Sequence, residues 1–399
     1  MIDKVAKENC TGCKACGDVC PTSAISFPVD QEGFWYPLVE SRRCVGCDLC
    51  ECVCPALNVP QGPKAPRPVP KVYKAYHSDS IVRYRSTSGG LYYGLARSFV
   101  EAGNYIVGCV YNKGFTGARQ VAYNTQNGLE VIMGSKYFQS DTAGIYKTVG
   151  KLLQQGKSVL FCGTGCQIGG LYGFLGGDSP NLYTVELICR GINSPMAFSA
   201  FLEELRGKFH AEVQEVNFKN KLHGWINLGT LVTFQNGKQY YRGRINDPWV
   251  NAFVIGNLSL RPCCERCQFK SFPRVSDITI GDFWGIKFND EERKYGVSVA
   301  LVNTEKGDKL LNSAKETMVV EERSLQEALK GNPALEHSVK RNPKASVFFE
   351  RISNGEPYSK VVWELLDSTP FTRAKAMVIW QLKGVRRFFR QRWKQRYHR

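Results

Sequence analysis

The chain has 399 residues, enough for two or three domains with a sizeable core, and its hydrophobic (43%) and charged (22%) fractions are those of an ordinary globular protein. The net charge of +17 is unevenly spread: residues 1–62 hold five basic and eight acidic side chains, whereas 373–399 hold ten Lys/Arg and no acid. Such a balance raises nucleic-acid binding first, but no helix-turn-helix, RNP or zinc-finger pattern accompanies it, so no nucleic-acid partner is expected.

The first nine residues lack the apolar stretch of a secretory signal, and no run approaches the ~18–20 apolar residues of a membrane span, so a cytoplasmic location is expected. Sixteen cysteines in a chain this long are not a disulfide framework; their spacing points to metal and therefore to a reducing compartment. Cys10, Cys13, Cys16 and Cys20-Pro21 form one C-x2-C-x2-C-x3-C-P run, and Cys44, Cys47, Cys50 and Cys54-Pro55 form a second. This is the signature of a pair of 4Fe-4S clusters, in which the fourth cysteine of each run ligates the cluster of the other. The spacing therefore assigns Cys10, Cys13, Cys16 and Cys54 to one cluster and Cys20, Cys44, Cys47 and Cys50 to the other, with each fourth cysteine beginning a short helix that points away. Structural zinc is the alternative, since C-x2-C pairs also build zinc ribbons, but zinc gains nothing from the third regular cysteine and the Cys-Pro. Cys52 is surplus inside the second run.

Residues 22–37 read as two short strands around a turn, and residues 1–58 as a two-cluster ferredoxin domain. The Pro-dense segment 59–70 cannot supply the donors of a sheet and favours extended PPII, so it reads as a linker. Residues 71–340 form the next unit. Lys71–His77 is strand-like. Ser88-Gly89-Gly90 opens an amphipathic helix, either as an anion site on a helix N-terminus or as a plain Ser cap. Strands are expected at Asn104–Tyr111, Lys157–Phe161, from Tyr183 and at Gly296–Asn303, and helices from about Asp141 and over Pro195–Phe209. An Asn236-Gly237 hairpin follows. The strand–helix alternation predicts parallel pairing, with ligands gathered beyond the strand C-termini. Cys166 and Cys189 fall there. With Cys264 and Cys267 they make four thiols from three separate loops, the stoichiometry of an Fe–S cluster or a zinc. Cys109 and Cys162 read as core thiols.

Together these motifs resemble the coenzyme F420 hydrogenase/dehydrogenase β-subunit family, in the form fused to an N-terminal two-cluster ferredoxin domain and found in bacterial polysaccharide gene clusters. The resemblance is carried by Ser88-Gly89-Gly90, Lys136-Tyr137, Gly163-Thr164-Gly165-Cys166-Gln167, Leu187-Ile188-Cys189-Arg190-Gly191, Cys264-x2-Cys267 and Asp277-Ile-Thr-Ile-Gly281-Asp282-Phe-Trp-Gly285. It implies an α+β protein: a small two-cluster ferredoxin-like domain, a larger mixed α/β flavin-binding domain, and a helical C-terminal tail over 341–399. It implies FAD, with FMN the lesser alternative, and a third 4Fe-4S cluster on Cys166, Cys189, Cys264 and Cys267. Ser88, Gly89, Gly90, Lys136, Tyr137, Thr164, Gln167 and Asp282 become flavin-contact candidates, Lys136 as the catalytic one. Two positions depart from the family's usual Gly-Thr-Pro-Cys-Gln and Cys-His-Gly: Gly165, expected to loosen the loop before Cys166, and Arg190, expected to place a cation beside cluster or flavin.

The resulting expectation is an oxidoreductase coupling one-electron transfer through clusters to hydride chemistry at a flavin. Its organic partner would be an intermediate of surface-polysaccharide metabolism or reduced coenzyme F420, and its protein partner a ferredoxin. The competing reading is an electron-transfer subunit without a substrate of its own. Val378, Leu382, Val385, Phe389, Trp393 and Tyr397 recur every three to four residues among Lys/Arg, a cationic amphipathic pattern that suits either peripheral contact with the inner face of a membrane or a helix docked on the protein.

Overall fold

The structure is a computed structural model that describes residues 1–59, 62–375 and 378. In the cysteine-rich domain lie β1 (Ile25–Ser26) and β2 (Leu38–Val39), paired antiparallel as the sequence predicts. The larger unit then runs through β3 (Lys71–His77), β4 (Tyr105–Tyr111), β5 (Ala118–Tyr123), β6 (Val159–Gly163) and β7 (Leu182–Leu187). After these come β8 (Val213–Asn220), β9 (Gly229–Phe234), β10 (Gln239–Gly243), β11 (Ile278–Asp282), β12 (Ser298–Val302) and β13 (Met318–Arg323).

Eight of these strands form one sheet in the order β13-β3-β12-β11-β7-β6-β4-β5. Only its centre is parallel, from β4 through β6 and β7 to β11; the flanking strands pair antiparallel. The expectation of parallel pairing thus holds where helical crossovers cover both faces and fails at the flanks. β6 shows why the centre is central: all five of its residues are buried. Val159 and Phe161 face the helices Ile145–Gln154 and Gly165–Leu175, while Leu160 and Cys162 face the helices Leu91–Glu101 and Glu305–Ser313. Residues two apart share a face, so both sides of the strand must be apolar.

The antiparallel sheet β10-β9-β8 wraps an aromatic core with the helix Pro195–Phe209. Phe218 stacks on Trp249 with ring centroids 5.0 Å apart, and Phe138 on Phe198 at 4.0 Å. The helices Ala345–Ser353 and Tyr358–Leu365 bury Phe348, Phe349, Tyr358, Val361 and Val362 in this same core, although residue 341 was read as the start of a separate tail. Of the basic amphipathic pattern only Val378 is described; Leu382, Val385, Phe389, Trp393 and Tyr397 lie outside the described residues. Among the described residues no helix is long and apolar enough to cross a membrane.

The cysteine-rich domain is docked on the larger unit through specific contacts. Asp18 accepts from the backbone N–H of Gly144 (2.7 Å) and of Tyr146 (3.1 Å). It thereby caps the helix Ile145–Gln154, whose own N-cap, Gly144, has no side chain to offer. This explains why a helix expected from Asp141 begins at Ile145. Lys14 pairs with Asp141 (2.8 Å) and Glu32 with Arg341 (2.6 Å). Ala15 and Val53 belong to the core beneath β6. The Pro-rich segment is strapped down as well: Arg67 donates its backbone N–H to Asn303 O (2.7 Å) and its guanidinium to Thr304 O (2.9 Å) and Asp308 (2.5 Å). Chain without a sheet of its own can still satisfy its donors on the edge of a neighbour.

Two glycines of the helix Gly165–Leu175 make the close docking feasible. A Cβ on Gly170 would lie 3.0 Å from Cys13 Sγ, and one on Gly173 would lie 2.4 Å from Val53 O. Because the latter neighbour is backbone, it cannot swing aside. Gly173→Ala is expected to weaken docking by about 1–3 kcal/mol, measured as faster protease cleavage within residues 59–70 with the larger unit otherwise intact.

Candidate functional site

The two cysteine runs fold alike. In each, the glycine before the second cysteine has positive φ (Gly12 +68°, Gly46 +69°), as does the residue after it (Lys14 59°, Asp48 54°). Two left-handed residues so close together curl the loop tightly enough to turn successive sulfurs inward, and glycine takes the first such position without strain. The third cysteine of each run then sits in a short helix, Ala15–Val19 or Leu49–Cys52. The fourth cysteine follows the helix rather than beginning it, contrary to expectation: Cys20 is a C-cap in extended conformation, and the proline behind it cannot continue the helix.

The first set of sulfurs joins the two runs. Burial pushes the Cys13 thiol up to about 12, with added repulsion from Cys54 and Cys10. Burial also raises Cys16, with Cys13, Cys10, Cys54 and Cys50 contributing, and raises Cys54, with Cys10 and Cys50 contributing. Three cysteines of the first run are therefore within electrostatic reach of Cys54, with Cys50 of the second run felt more weakly. Cys20, Cys44, Cys47 and Cys50 line a separate recess of about 430 Å³, together with Met1, Val45 and Leu49. There the backbone N–H of Ala24 donates to Cys20 Sγ at 3.3 Å. Cys47 is exposed, so this set faces solvent while the first faces the larger unit. Cys52 is exposed and does not line the recess.

Cys166, Cys189, Cys264 and Cys267 line one recess, together with a fifth cysteine, Cys263, and with Asn9 and Thr11 of the first cysteine loop on its wall. Cys166 stands in the first turn of the helix that follows β6, and Cys189 just beyond β7, so both occupy C-terminal ends of parallel strands. Cys264 and Cys267 come from the short helix Pro262–Arg266 and its C-cap. The backbone N–H of Ile192 donates to Cys264 Sγ (3.2 Å), and Thr164 Oγ1 lies 3.1 Å from Cys166 Sγ. Burial raises Cys166 far above the ordinary thiol range and Cys189 to about 11. Such thiols keep their protons until an electropositive ion replaces them. Lys270 holds the carbonyls of Cys189 (3.0 Å) and Arg190 (3.1 Å). The buried pair Arg274–Glu186 closes another side. Among the described residues no group of three His, Cys, Asp or Glu is drawn together as a single ion would require.

Both departures from the family pattern have other roles than expected. Gly165 does not loosen a loop: it is the first residue of a helix capped reciprocally by Thr164 and Gln167. A Cβ there would lie 2.6 Å from Glu186 Oε1 and 2.9 Å from Phe269, so only glycine admits that packing. Arg190 donates to Asn257 Oδ1 (2.9 Å) and does not line the cavity; Arg266, Lys270 and Arg274 are the cations that do.

The flavin-contact candidates lie nearby, and most of their polar groups are engaged within the protein. Ser88 Oγ donates to Val297 O (2.8 Å), and the Gly89 N–H donates to Ser298 Oγ (3.0 Å). Gly89 is bare because a Cβ would sit 2.8 Å from Ala75 O, so the loop is pressed against β3 and β12. Gly90, at φ +82°, is the N-cap of the helix Leu91–Glu101. Lys136 Nζ donates to Ile132 O (2.9 Å), Met133 O (2.9 Å) and Gly134 O (3.0 Å), capping the helix Gln126–Ile132. Burial lowers its amine to about 8. Tyr137 lies under Lys219, which is paired with Asp282, and Asp282 also accepts from Trp225 Nε1 (3.2 Å). Gln167 bridges Thr164 N and Ser140 Oγ, both at 3.0 Å. Buried atoms without partners among the described residues remain at Tyr111 OH, beneath Lys136, and at Gln120 Oε1.

Residues 156–328 match the family model for the C terminus of the coenzyme F420 hydrogenase/dehydrogenase β subunit, and residues 9–58 match that of a 4Fe-4S dicluster domain. The chain thus combines a segment similar to a 4Fe-4S dicluster domain with one similar to the C-terminal part of that β subunit, the relationship of an iron–sulfur electron-transfer protein. All four of Cys166, Cys189, Cys264 and Cys267 fall inside the β-subunit match, whereas Ser88–Gly90 and Lys136 precede it. A solved structure of the F420-reducing [NiFe] hydrogenase complex from Methanosarcina barkeri aligns at 16% identity and a TM-score of 0.47, over 77% of this chain and 92% of that one. No curated protein matches the sequence.

Sequence reasoning missed Arg261, Lys219 and Lys221. Lys221 is 2% exposed, and its ammonium donates to the carbonyls of Arg83, Ser88 and Tyr295. No spacing signals such a residue, because its partners are 74 to 138 positions away. The second cysteine run, with two cysteines close to its end, gives a direct test. Cys54→Ser is expected to lose about four irons from the dicluster domain, and Cys52→Ser none, read by iron and acid-labile sulfide content.

Proposed function

We propose that the chain is an iron–sulfur flavoprotein oxidoreductase. In this reading the dicluster domain holds clusters on Cys10, Cys13, Cys16 and Cys54 and on Cys20, Cys44, Cys47 and Cys50, and the β-subunit domain holds a third on Cys166, Cys189, Cys264 and Cys267. The observation that carries the reading is that these last four thiols, from three separate elements, line one cavity whose wall includes Asn9 and Thr11, the neighbours of Cys10. The donor set suits iron–sulfur, with thiols gathered around a recess that Glu8 and Glu186 also line, N–H groups aimed at sulfur and Arg266, Lys270 and Arg274 among its cations.

A bound flavin exchanges single electrons with clusters and hydride with an organic partner. The protein's part is to hold and order the route. Cys47 opens the outer set to a redox protein, whereas Cys13, packed on Gly170, turns the inner set toward the helix that carries Cys166. Lys270 and Arg274 offset negative charge around the inner cavity, and the Thr164–Gln167 box fixes Cys166 at the helix start. Tyr111 OH, beneath Lys136, and Gln120 Oε1, both buried without partners among the described residues, support FAD in this region, with Lys136 ordering its loop. The organic partner would be a two-electron acceptor or donor such as reduced coenzyme F420 or a polysaccharide precursor.

Anaerobically purified protein is expected to carry about twelve irons and one flavin per chain, and Cys264→Ser about eight irons. A wild-type value near eight would remove the third cluster. Reoxidation of the reduced flavin by a small molecule in a single turnover, with no other protein added, would favour the enzyme over a subunit that only relays electrons. Lys136→Met is expected to lower the flavin content at least tenfold while leaving the iron content unchanged.

A further inference from the structure

Arg261 is 0% exposed, and among the described residues it pairs with no carboxylate. A guanidinium withdrawn from water needs an anion, and several kcal/mol oppose its burial otherwise. Its surroundings offer two sulfurs, Cys263, its largest charge partner, whose thiol Arg261 helps to lower, and Cys10 of the first cysteine loop. Nε donates to Cys10 O (3.0 Å), Nη1 to Gln139 Oε1 (2.8 Å) and Nη2 to Trp35 O (3.1 Å), while Nη2 also reaches Cys10 Sγ at 3.8 Å. Its face lies 4.5 Å from the Tyr36 ring centroid and 5.2 Å from that of Phe34. A Cβ on Gly12 would meet the guanidinium carbon at 2.9 Å, so the glycine that lets the loop curl also lets the cation lie against it. At the other end of the residue, Arg261 O accepts from the backbone N–H of Cys264 (3.1 Å). One residue of the β-subunit domain thus touches a sulfur of the first set and holds the backbone of a cysteine of the third.

We propose that Arg261 is a positioning residue that sets the reduction potential of the cluster on Cys10, Cys13, Cys16 and Cys54. The inference rests on the ligand assignment proposed above. Reduction adds one electron to the cluster, breaks no bond and takes up no proton, since a guanidinium stays charged throughout. The added negative charge is stabilised by a fixed cation hydrogen-bonded to a ligand sulfur in a dry setting, so the reduced state is favoured and the midpoint is raised. The outer set, on Cys20, Cys44, Cys47 and Cys50, has no cation contact recorded among the described residues; its sulfur contacts are backbone N–H groups, such as that of Ala24, and the Thr22 hydroxyl. Arg261 therefore tilts the pair so that an electron arriving at the solvent-facing cluster rests on the inner one, beside the Cys264 loop.

The test uses the full-length protein, purified anaerobically and titrated with dithionite under potentiometric control, with electron paramagnetic resonance as the readout. Arg261→Gln is expected to keep its iron and lower one midpoint by a tenfold change in equilibrium constant, about 59 mV for a one-electron couple, while the other midpoints hold. Arg261→Lys should shift the same midpoint less. Arg341→Gln, which cuts the Arg341–Glu32 pair across the same domain boundary, should shift none. Unmoved midpoints in an iron-replete Arg261→Gln protein, an equal shift in Arg341→Gln, or loss of iron from both Arg261 variants would overturn the proposal. Failure of the ligand assignment would appear earlier and separately, as a wild-type protein with fewer than about eight irons.

Discussion

Sulfur anions are costly to hide from water, and this chain hides them in quantity. Cys13, Cys16 and Cys166 lie where burial drives the thiol away from ionisation, and Cys264 is held protonated by its neighbour Cys263 and then by burial. A fold can keep such groups only by giving them protons, metal, N–H donors or cations. Each sulfur set carries some of these: the Ala24 N–H at Cys20, the Ile192 N–H at Cys264 and the guanidinium of Arg261 at Cys10. The architecture follows from that need. Strand ends and loop crowns, where backbone N–H groups are free, carry the candidate ligand cysteines, while Cys109 and Cys162 lie within β4 and β6 among Val, Leu and Phe.

The same constraint explains how the two domains meet. The curled loop of Cys10–Cys16 cannot be covered by bulky side chains without losing its approach to the larger unit, so the covering helix presents Gly170 and Gly173. Asp18 then finishes that surface by capping a helix of the other domain. Opposite overall charge on the two halves, which the composition shows, plays a smaller part than these contacts. At the interface the ion pairs run both ways, with Lys14 of the acidic domain on Asp141 and Glu32 of the acidic domain on Arg341.

Local signals were legible wherever a single stretch of chain decides the outcome. The two cysteine runs, the helix Pro195–Phe209 with Ser194 and Pro195 at its start, and the Asn236-Gly237 hairpin all came directly from neighbouring residues. The grouping of Cys166, Cys189, Cys264 and Cys267 was suggested by their loop and strand-end positions and strengthened by the resemblance, since no spacing rule links loops up to about a hundred residues apart in sequence. Antiparallel flanks, the shared core of the helices after 341 and the role of Gly165 were not legible. Each depends on what packs opposite: β3 against β12, Phe348 against the aromatic cluster, Glu186 against a missing methyl. Lys136 shows the reverse case. Its position in a family motif marks it as a ligand contact, yet its ammonium ends a helix, a task only coordinates reveal.

The strap formed by Arg67 has a consequence for how charge is delivered. With its backbone and guanidinium fastened to Asn303, Thr304 and Asp308, Arg67 ties the described part of the Pro-rich segment to the larger unit. Under the proposed electron-transfer role, a carrier would meet the face where Cys47 is open, and turnover would follow that carrier's concentration and encounter rate.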